Sequence, residues 1–234
     1  MNSPVRTTWI DIAPGYAGWL ALPPAGQGPG LLLFQEIFGV NEHIRALAEQ
    51  YALDGFTVLA PDVFWRQAPR VDLGYEGAER ERARALMQAY SADDALADIA
   101  ASVQALRARP ERSGRIGAIG YCMGGRLAWL AAATTRLDAA VAYYGGGIQT
   151  QLDRAGAIGC PLQFHYAEHD EHIPPEAVDR VRQATAGMAA ELHVYPGAKH
   201  GFNCWARSSY HAPSAALAHG RTLAFLARHL MAAT

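Results

Sequence analysis

The chain has 234 residues, half of them hydrophobic, with a formal net charge of −2 and a pI near 6.5. That much apolar material suits one large core in a single domain over 1–234, because sheet-rich α/β domains of about 200–250 residues commonly stay single. The scattered arginines give no basic patch for nucleic acid, three cysteines without a C-x-x-C pair indicate a reducing compartment, and neither a secretory signal in 1–20 nor an apolar run of the roughly 18 residues needed for a membrane helix is present. The expectation is a cytoplasmic enzyme without a nucleic-acid or membrane partner.

Residues 9–12 and 16–22 are strand-like runs around Pro14-Gly15, forming a hairpin or edge strands. After a Pro- and Gly-rich loop, 31–35 is a continuous apolar run, as expected of a strand buried on both faces. Asn41 caps a helix whose Ile44, Leu47, Ala48, Tyr51 and Ala52 share one face and which ends at Gly55. Residues 56–60 form a second buried strand. Residues 63–77 have no period and read as a surface excursion. A short Arg- and Glu-rich helix covers 78–88, and Ser91 caps a longer one with Leu96, Ile99, Ala100, Val103 and Leu106 inward. Strand 115–119, helix 123–135, strand 139–144, strand 161–166, helix 174–188, strand 191–195 and helix 214–231 complete the series. This alternation predicts the α/β class: a doubly wound, mostly parallel sheet of about eight strands with helices on both faces. In such sheets the site lies beyond the carboxyl ends of the strands.

Gly120-Tyr121-Cys122-Met123-Gly124 joins the third parallel strand to its helix. It has the form of the nucleophile elbow G-x-S-x-G with Cys in place of Ser. The nucleophile of an elbow sits at a strained φ/ψ, and side chains at the flanking glycines would collide with backbone. The turn also aims the sulfur at the amino end of a helix, where a thiolate is favoured. Alone, the pattern could equally mark a small buried cysteine in a Gly-rich chain. Later strand ends decide between these readings. The strand 161–166 leads into Ala167-Glu168-His169-Asp170, and 191–195 leads into Pro196-Gly197-Ala198-Lys199-His200. Nucleophile, acid and base therefore follow in elbow order as Cys122, Asp170 and His200. His200 would take or balance the thiol proton, and Asp170 would fix the imidazole. The thiolate would then form a thioester that water hydrolyses. Backbone N–H groups of Met123 and Ile37 are the expected oxyanion donors. Glu36, beside Ile37, reads from its position alone as a loop carboxylate facing water.

Together these residues resemble the dienelactone hydrolase (carboxymethylenebutenolidase) family, a branch of the α/β-hydrolases. The matches run in order along nearly the whole chain: Gln35-Glu36-Ile37-Phe38-Gly39-Val40-Asn41, Ala60-Pro61-Asp62, Arg66-Gln67-Ala68-Pro69, Gly120-Tyr121-Cys122-Met123-Gly124-Gly125, Tyr143-Tyr144-Gly145 and His200-Gly201-Phe202. The resemblance implies the triad Cys122, His200 and Asp170. It gives Glu36 a part, pairing with the resting thiol until substrate binds. It also implies hydrolysis of dienelactone, a cyclic enol ester bearing a carboxylate, or of a different small ester or lactone, with no cofactor. Of the two arginines and the tyrosine with which such enzymes grip the substrate carboxylate, Arg80 matches the first arginine. The tyrosine position holds Arg84, and the second arginine is replaced by Cys204. Arg84 or Arg207 could restore the lost charge.

Phe38, Tyr144, Phe202 and Trp65 stand near strand ends, as pocket lining or as ordinary core. His165, His169 and His172 with Asp170 and Glu171 lack the regular spacing of metal-ligand pairs, so no metal is assigned. The same machinery acting on another ester, thioester or amide, and a non-catalytic scaffold with a reactive thiol, stay open as alternatives. A monomer or weak homodimer is expected.

Overall fold

The computed structural model describes residues 4–231, so the expected span 1–234 runs beyond the described residues at both ends. In chain order the elements are β1 Arg6–Ala13, β2 Tyr16–Leu22, β3 Gly28–Phe34, α1 Glu42–Leu53, β4 Thr57–Pro61, α2 Gly77–Ala89 and α3 Ala92–Arg107. They continue with β5 Arg112–Tyr121, α4 Met123–Thr134, β6 Ala139–Tyr143, β7 Leu162–His169, α5 Pro175–Ala184, β8 Ala190–Lys199 and α6 Ala212–Leu230. The eight strands form one sheet in the order β1-β2-β4-β3-β5-β6-β7-β8. β2 is antiparallel to both β1 and β4, and β3 to β8 are parallel.

Period-two alternation in β5 assigns the two faces of the sheet. Tyr121 turns toward α1, where its hydroxyl meets that of Tyr51 at 3.0 Å, and Gly117 lies under Leu230 of α6. Gly120, on the other face, lies against Gly124 of α4. β3 is followed in sequence by its neighbour on one side, β4, and only later by β5 on the other. The loops leaving β3 and β5 therefore diverge and open a crevice at the carboxyl edge, the switch point of the sheet.

The helix caps form as the sequence suggests. Asn41 Oδ1 accepts the Ile44 N–H at 3.2 Å, and Ser91 Oγ accepts that of Asp94 at 3.0 Å. β7 and β8 run further than expected, to His169 and Lys199, because they pair with each other past a bulge between Ala167 and His169.

Two expectations need correction. Residues 63–77 are not a surface excursion: Val63, Phe64, Val71 and Leu73 are buried. The segment is pinned to the β3–α1 loop by the Leu73 N–H on the Phe38 carbonyl (3.0 Å) and by Asn41 Nδ2 on the Leu73 carbonyl (3.1 Å). The inward face of α3 is also rotated from the apolar reading. Asp98 and Ser102 are buried, whereas Ala100 is exposed and Leu96 only half-buried. Asp98 explains the rotation, because it collects Arg66 Nη1 at 2.8 and 2.9 Å, Trp65 Nε1 at 3.2 Å and the Tyr90 hydroxyl at 3.1 Å. A buried carboxylate is tolerated when its lone pairs are met by donors, one of them charged.

Removing that carboxylate would strand several donors at once. Asp98→Ala is expected to lower the unfolding free energy by about 3 kcal/mol, measured as a lower urea midpoint at unchanged slope. A loss below about 1 kcal/mol would mean that apolar packing, not this cluster, holds the segment.

Candidate active site

Cys122 is the residue between β5 and α4, with φ 56° and ψ −118°. Few non-glycine residues adopt positive φ, and those that do are held there by their surroundings. Here the constraint is backbone on backbone. A Cβ at Gly120 would strike the Gly124 carbonyl, and one at Gly124 would strike the Phe34 and Gln35 carbonyls. The Cys122 N–H is tied to the Tyr143 carbonyl at 3.0 Å. Its side chain, partly exposed, stands at the floor of a cavity of about 350 Å³.

His200 and Asp170 each follow directly on the last residue of a strand, β8 and β7. Asp170 Oδ1 accepts the N–H groups of His172 (2.8 Å) and Ile173 (3.1 Å), which turns Oδ2 toward His200 Nδ1 at 2.8 Å. His200 Nε2 is buried without another partner and faces the Cys122 sulfur. Burial works against a charged ring, but Cys122 and Asp170 outweigh it and push the His200 pKa up to about 10. The ring of Tyr144 meets that of His200 edge-on at 5.0 Å. The three residues the sequence placed in elbow order thus converge.

Ile37 and Met123 both border the cavity. Met123 is the first residue of α4, so its N–H has no partner within the helix. The N–H of Ile37 likewise finds no backbone acceptor among the described residues. The two donors flank Cys122 from α4 and from the β3–α1 loop.

Glu36 is 1% exposed rather than solvated, and it is not paired with the thiol. Its Oε1 accepts from Arg207 Nη1 at 3.2 Å, and its Oε2 is buried without a partner. A guanidinium is the stronger, charge-assisted donor and takes the carboxylate. Burial raises the Glu36 pKa against the lowering influence of Arg207 and His200. Arg207 is stacked over Phe38 and Tyr75, with its guanidinium carbon 5.8 and 5.9 Å from the ring centres.

Phe38, Arg80, Arg84 and Arg207 line the cavity. Tyr144, Phe202 and Cys204 do not. Tyr144 and Phe202 are fully buried and pack on each other at 5.4 Å beneath His200. The chain turns sharply at Tyr144 (φ 35°), sending its ring under the site rather than into it. Cys204 is 0% exposed, its thiol meeting the Tyr75 hydroxyl instead of the cavity. Trp65 lies far from these residues, stacked on Tyr16 at 5.4 Å. The histidines near Asp170 diverge: His165 is buried against Tyr195 (2.7 Å) and Gln163 (2.9 Å), His169 faces Glu168, and only His172 reaches the cavity. Arg126, in the first turn of α4, is a cavity residue the sequence reading missed. Its position three residues after Met123, on the same helix face, was the available signal.

No helix among the described residues is long and apolar enough to cross a membrane. Residues 16–230 match the sequence model of the Dienelactone hydrolase family. Over 207 residues the chain is 35% identical to a carboxymethylenebutenolidase of Pseudomonas putida, covering 88% of both chains. Over 214 residues it is 31% identical to carboxymethylenebutenolidase 1 of Cupriavidus pinatubonensis, covering 91% of both. It also superposes on the crystal structure of a Klebsiella pneumoniae protein assigned to the dienelactone hydrolases, with a TM-score of 0.84, 32% identity and coverage of 96% of this chain and 99% of the other. The chain therefore belongs to the dienelactone hydrolase family, hydrolases of the α/β-hydrolase fold.

Proposed function

We propose that the protein hydrolyses a small carboxylic ester or lactone through a thioester on Cys122. The observation that carries this reading is the convergence of a strained Cys122, a His200 ring fixed by Asp170, and two free N–H groups on one cavity. In the first half-reaction the Cys122 thiolate, balanced by the His200 imidazolium, attacks the carbonyl carbon. The developing oxyanion is met by the Met123 and Ile37 N–H groups, and α4 directs its positive end at the same point. His200 then gives its proton to the departing oxygen. In the second half-reaction His200 takes a proton from water as that water attacks the thioester, and the thiolate returns. Asp170 keeps Nδ1 protonated throughout, so Nε2 always faces the reaction.

Glu36 and Arg207 are the control on this cycle in our reading. An anionic group on the substrate draws Arg207 toward itself. The buried Glu36, then short of its counter-charge, becomes a proton acceptor for a Cys122 thiol that has picked up a proton from water or product, and so returns it to the thiolate. The support is the Glu36–Arg207 pair itself, with one carboxylate oxygen left without a partner.

Wild-type protein is expected to release 4-nitrophenol from 4-nitrophenyl acetate, and Cys122→Ala to release none above background. His200→Ala should slow turnover on the order of 10²–10⁴-fold, and its rapidly quenched digest should carry the acetyl group on the Cys122 peptide. Turnover by Cys122→Ala at the wild-type rate would rule out the thioester.

A second expectation concerns pH. Glu36 has a native pKa above its ordinary value of 4.5, so the native state holds its proton more tightly and stability falls as pH rises through that interval. Arg207→Ala takes away a lowering influence and widens the interval. The stability difference between Arg207→Ala and wild type should be small below pH 4.5, where Glu36 is protonated in both. With rising pH it should grow toward about 3–5 kcal/mol, the cost of leaving a buried charge unpaired. A difference independent of pH in denaturation curves would mean that Arg207 stabilises by packing alone.

A further inference from the structure

We propose that the pocket takes an ester or lactone bearing two anionic groups, with Arg84 and Arg126 holding the second of them. This rests on the hydrolase reading above and narrows its substrate class.

The cavity wall carries four arginines and no carboxylate. Arg207 is already matched by Glu36. Arg80, Arg84 and Arg126 form no ion pair among the described residues. The four also divide by position. Arg80 and Arg207 border both the catalytic cavity and an adjoining polar recess of about 560 Å³, beside His200. Arg84 and Arg126 border the catalytic cavity alone. A single carboxylate held by Arg80 at the junction would leave the other two cations unmatched. Arg84 lies one turn beyond Arg80 on the same stripe of α2, an i, i+4 relation.

Arg126 is the more telling of the pair. It is the one charged residue of α4, whose other eleven positions are apolar, glycine or threonine. It stands in the first turn, where the helix dipole disfavours a cation by about 0.3–1 kcal/mol. The side chain is partly buried. It is held against the main chain after β6, where Gly147 has φ 92° and a Cβ there would come within 3.0 Å of Arg126 Cδ and 3.3 Å of Nη1. Among the described residues no hydrogen bond or ion pair compensates this placement. An anion on the substrate would, through a charge-assisted contact.

Three acetyl esters that share one acyl group test the inference: phenyl acetate (neutral), 3-acetoxybenzoate (one carboxylate) and 5-acetoxyisophthalate (two). Each releases its phenol in forming one and the same acetyl-enzyme, so differences in kcat/KM report recognition of the anionic groups. For wild type at low salt, kcat/KM for the isophthalate ester should exceed that for the benzoate at least tenfold. Arg126→Gln and Arg84→Gln should each lower the isophthalate-to-neutral ratio at least tenfold, and Arg126→Lys should recover part of it. Phenyl acetate is the internal reference for correct folding. A dianion no better than the monoanion, or an Arg126→Gln effect equal on all three esters, would overturn the inference while leaving the hydrolase reading intact. Absence of turnover of all three by reduced wild type would remove both.

Discussion

At Gly124 the main chain of α4 lies so close to the Phe34 and Gln35 carbonyls, at the end of β3, that no Cβ fits between them. This contact joins the two strands on either side of the switch point. It places the β3–α1 loop, with Ile37, within reach of the first turn of α4, with Met123. It also forces the turn between β5 and α4 to be so tight that Cys122 takes a positive φ. In the proposed mechanism, donor geometry and nucleophile geometry therefore have one cause. The segment over 63–77, anchored at Asp98 and tied to the Phe38 carbonyl, braces the same loop from outside. That bracing matters because oxyanion stabilisation depends on donors held in place before the charge develops.

Around this backbone frame the charges are arranged in two buried pairs, Asp170 with His200 and Glu36 with Arg207. Each carboxylate is almost fully buried, where an unpaired charge is costly. They differ in how fully they are satisfied. Asp170 uses both oxygens, on two backbone N–H groups and on His200. Glu36 uses one. The satisfied pair is rigid and suits a fixed orienting role. The half-satisfied pair stores unmet demand for a proton or donor, which suits a group whose state changes during turnover.

Much of this was legible in the sequence because α/β topology converts order along the chain into position in space. Cys122, Asp170 and His200 each follow a strand, and the carboxyl ends of parallel strands share one edge. Arg80 and Arg84 were recoverable through the family resemblance, which matches Arg80 to a carboxylate-gripping arginine and puts Arg84 at the tyrosine position. What the sequence withheld has no local period. Residues 63–77 bury apolar side chains in an irregular path, so neither alternation nor a 3.6-residue repeat marks them. Glu36 and Arg207 are 171 residues apart, and nothing near either names the other. Tyr144 and Phe202 sit where a pocket residue or a core residue reads the same, and only the φ of Tyr144 sends the pair beneath His200. Arg126 left a trace that patterning ignores: a cation at the amino end of an otherwise uncharged helix, unfavourable for the helix and thus in need of another reason.

The cations of the cavity do not act over equal ranges. Arg84 is exposed, and at physiological salt its field fades over a Debye length of about 8 Å. Its contribution is confined to direct contact and to drawing anions inward. Arg126 and Arg207 are partly buried, where screening is weaker and each contact with an anion is stronger. Arg126 also shares its helix face with the Met123 N–H, one turn away. In the proposed mechanism its charge would add to the field of the α4 amino end where the oxyanion would form. An anion bound at Arg126 would cancel part of that field, unless the substrate brings the negative group to the guanidinium while its carbonyl oxygen still faces the Met123 and Ile37 N–H groups. On the proposed reading, the favoured substrates are those in which the second anionic group and the carbonyl oxygen point to different sides of Cys122. This constrains shape as well as charge, and a small flexible anion would satisfy it less well than a rigid one.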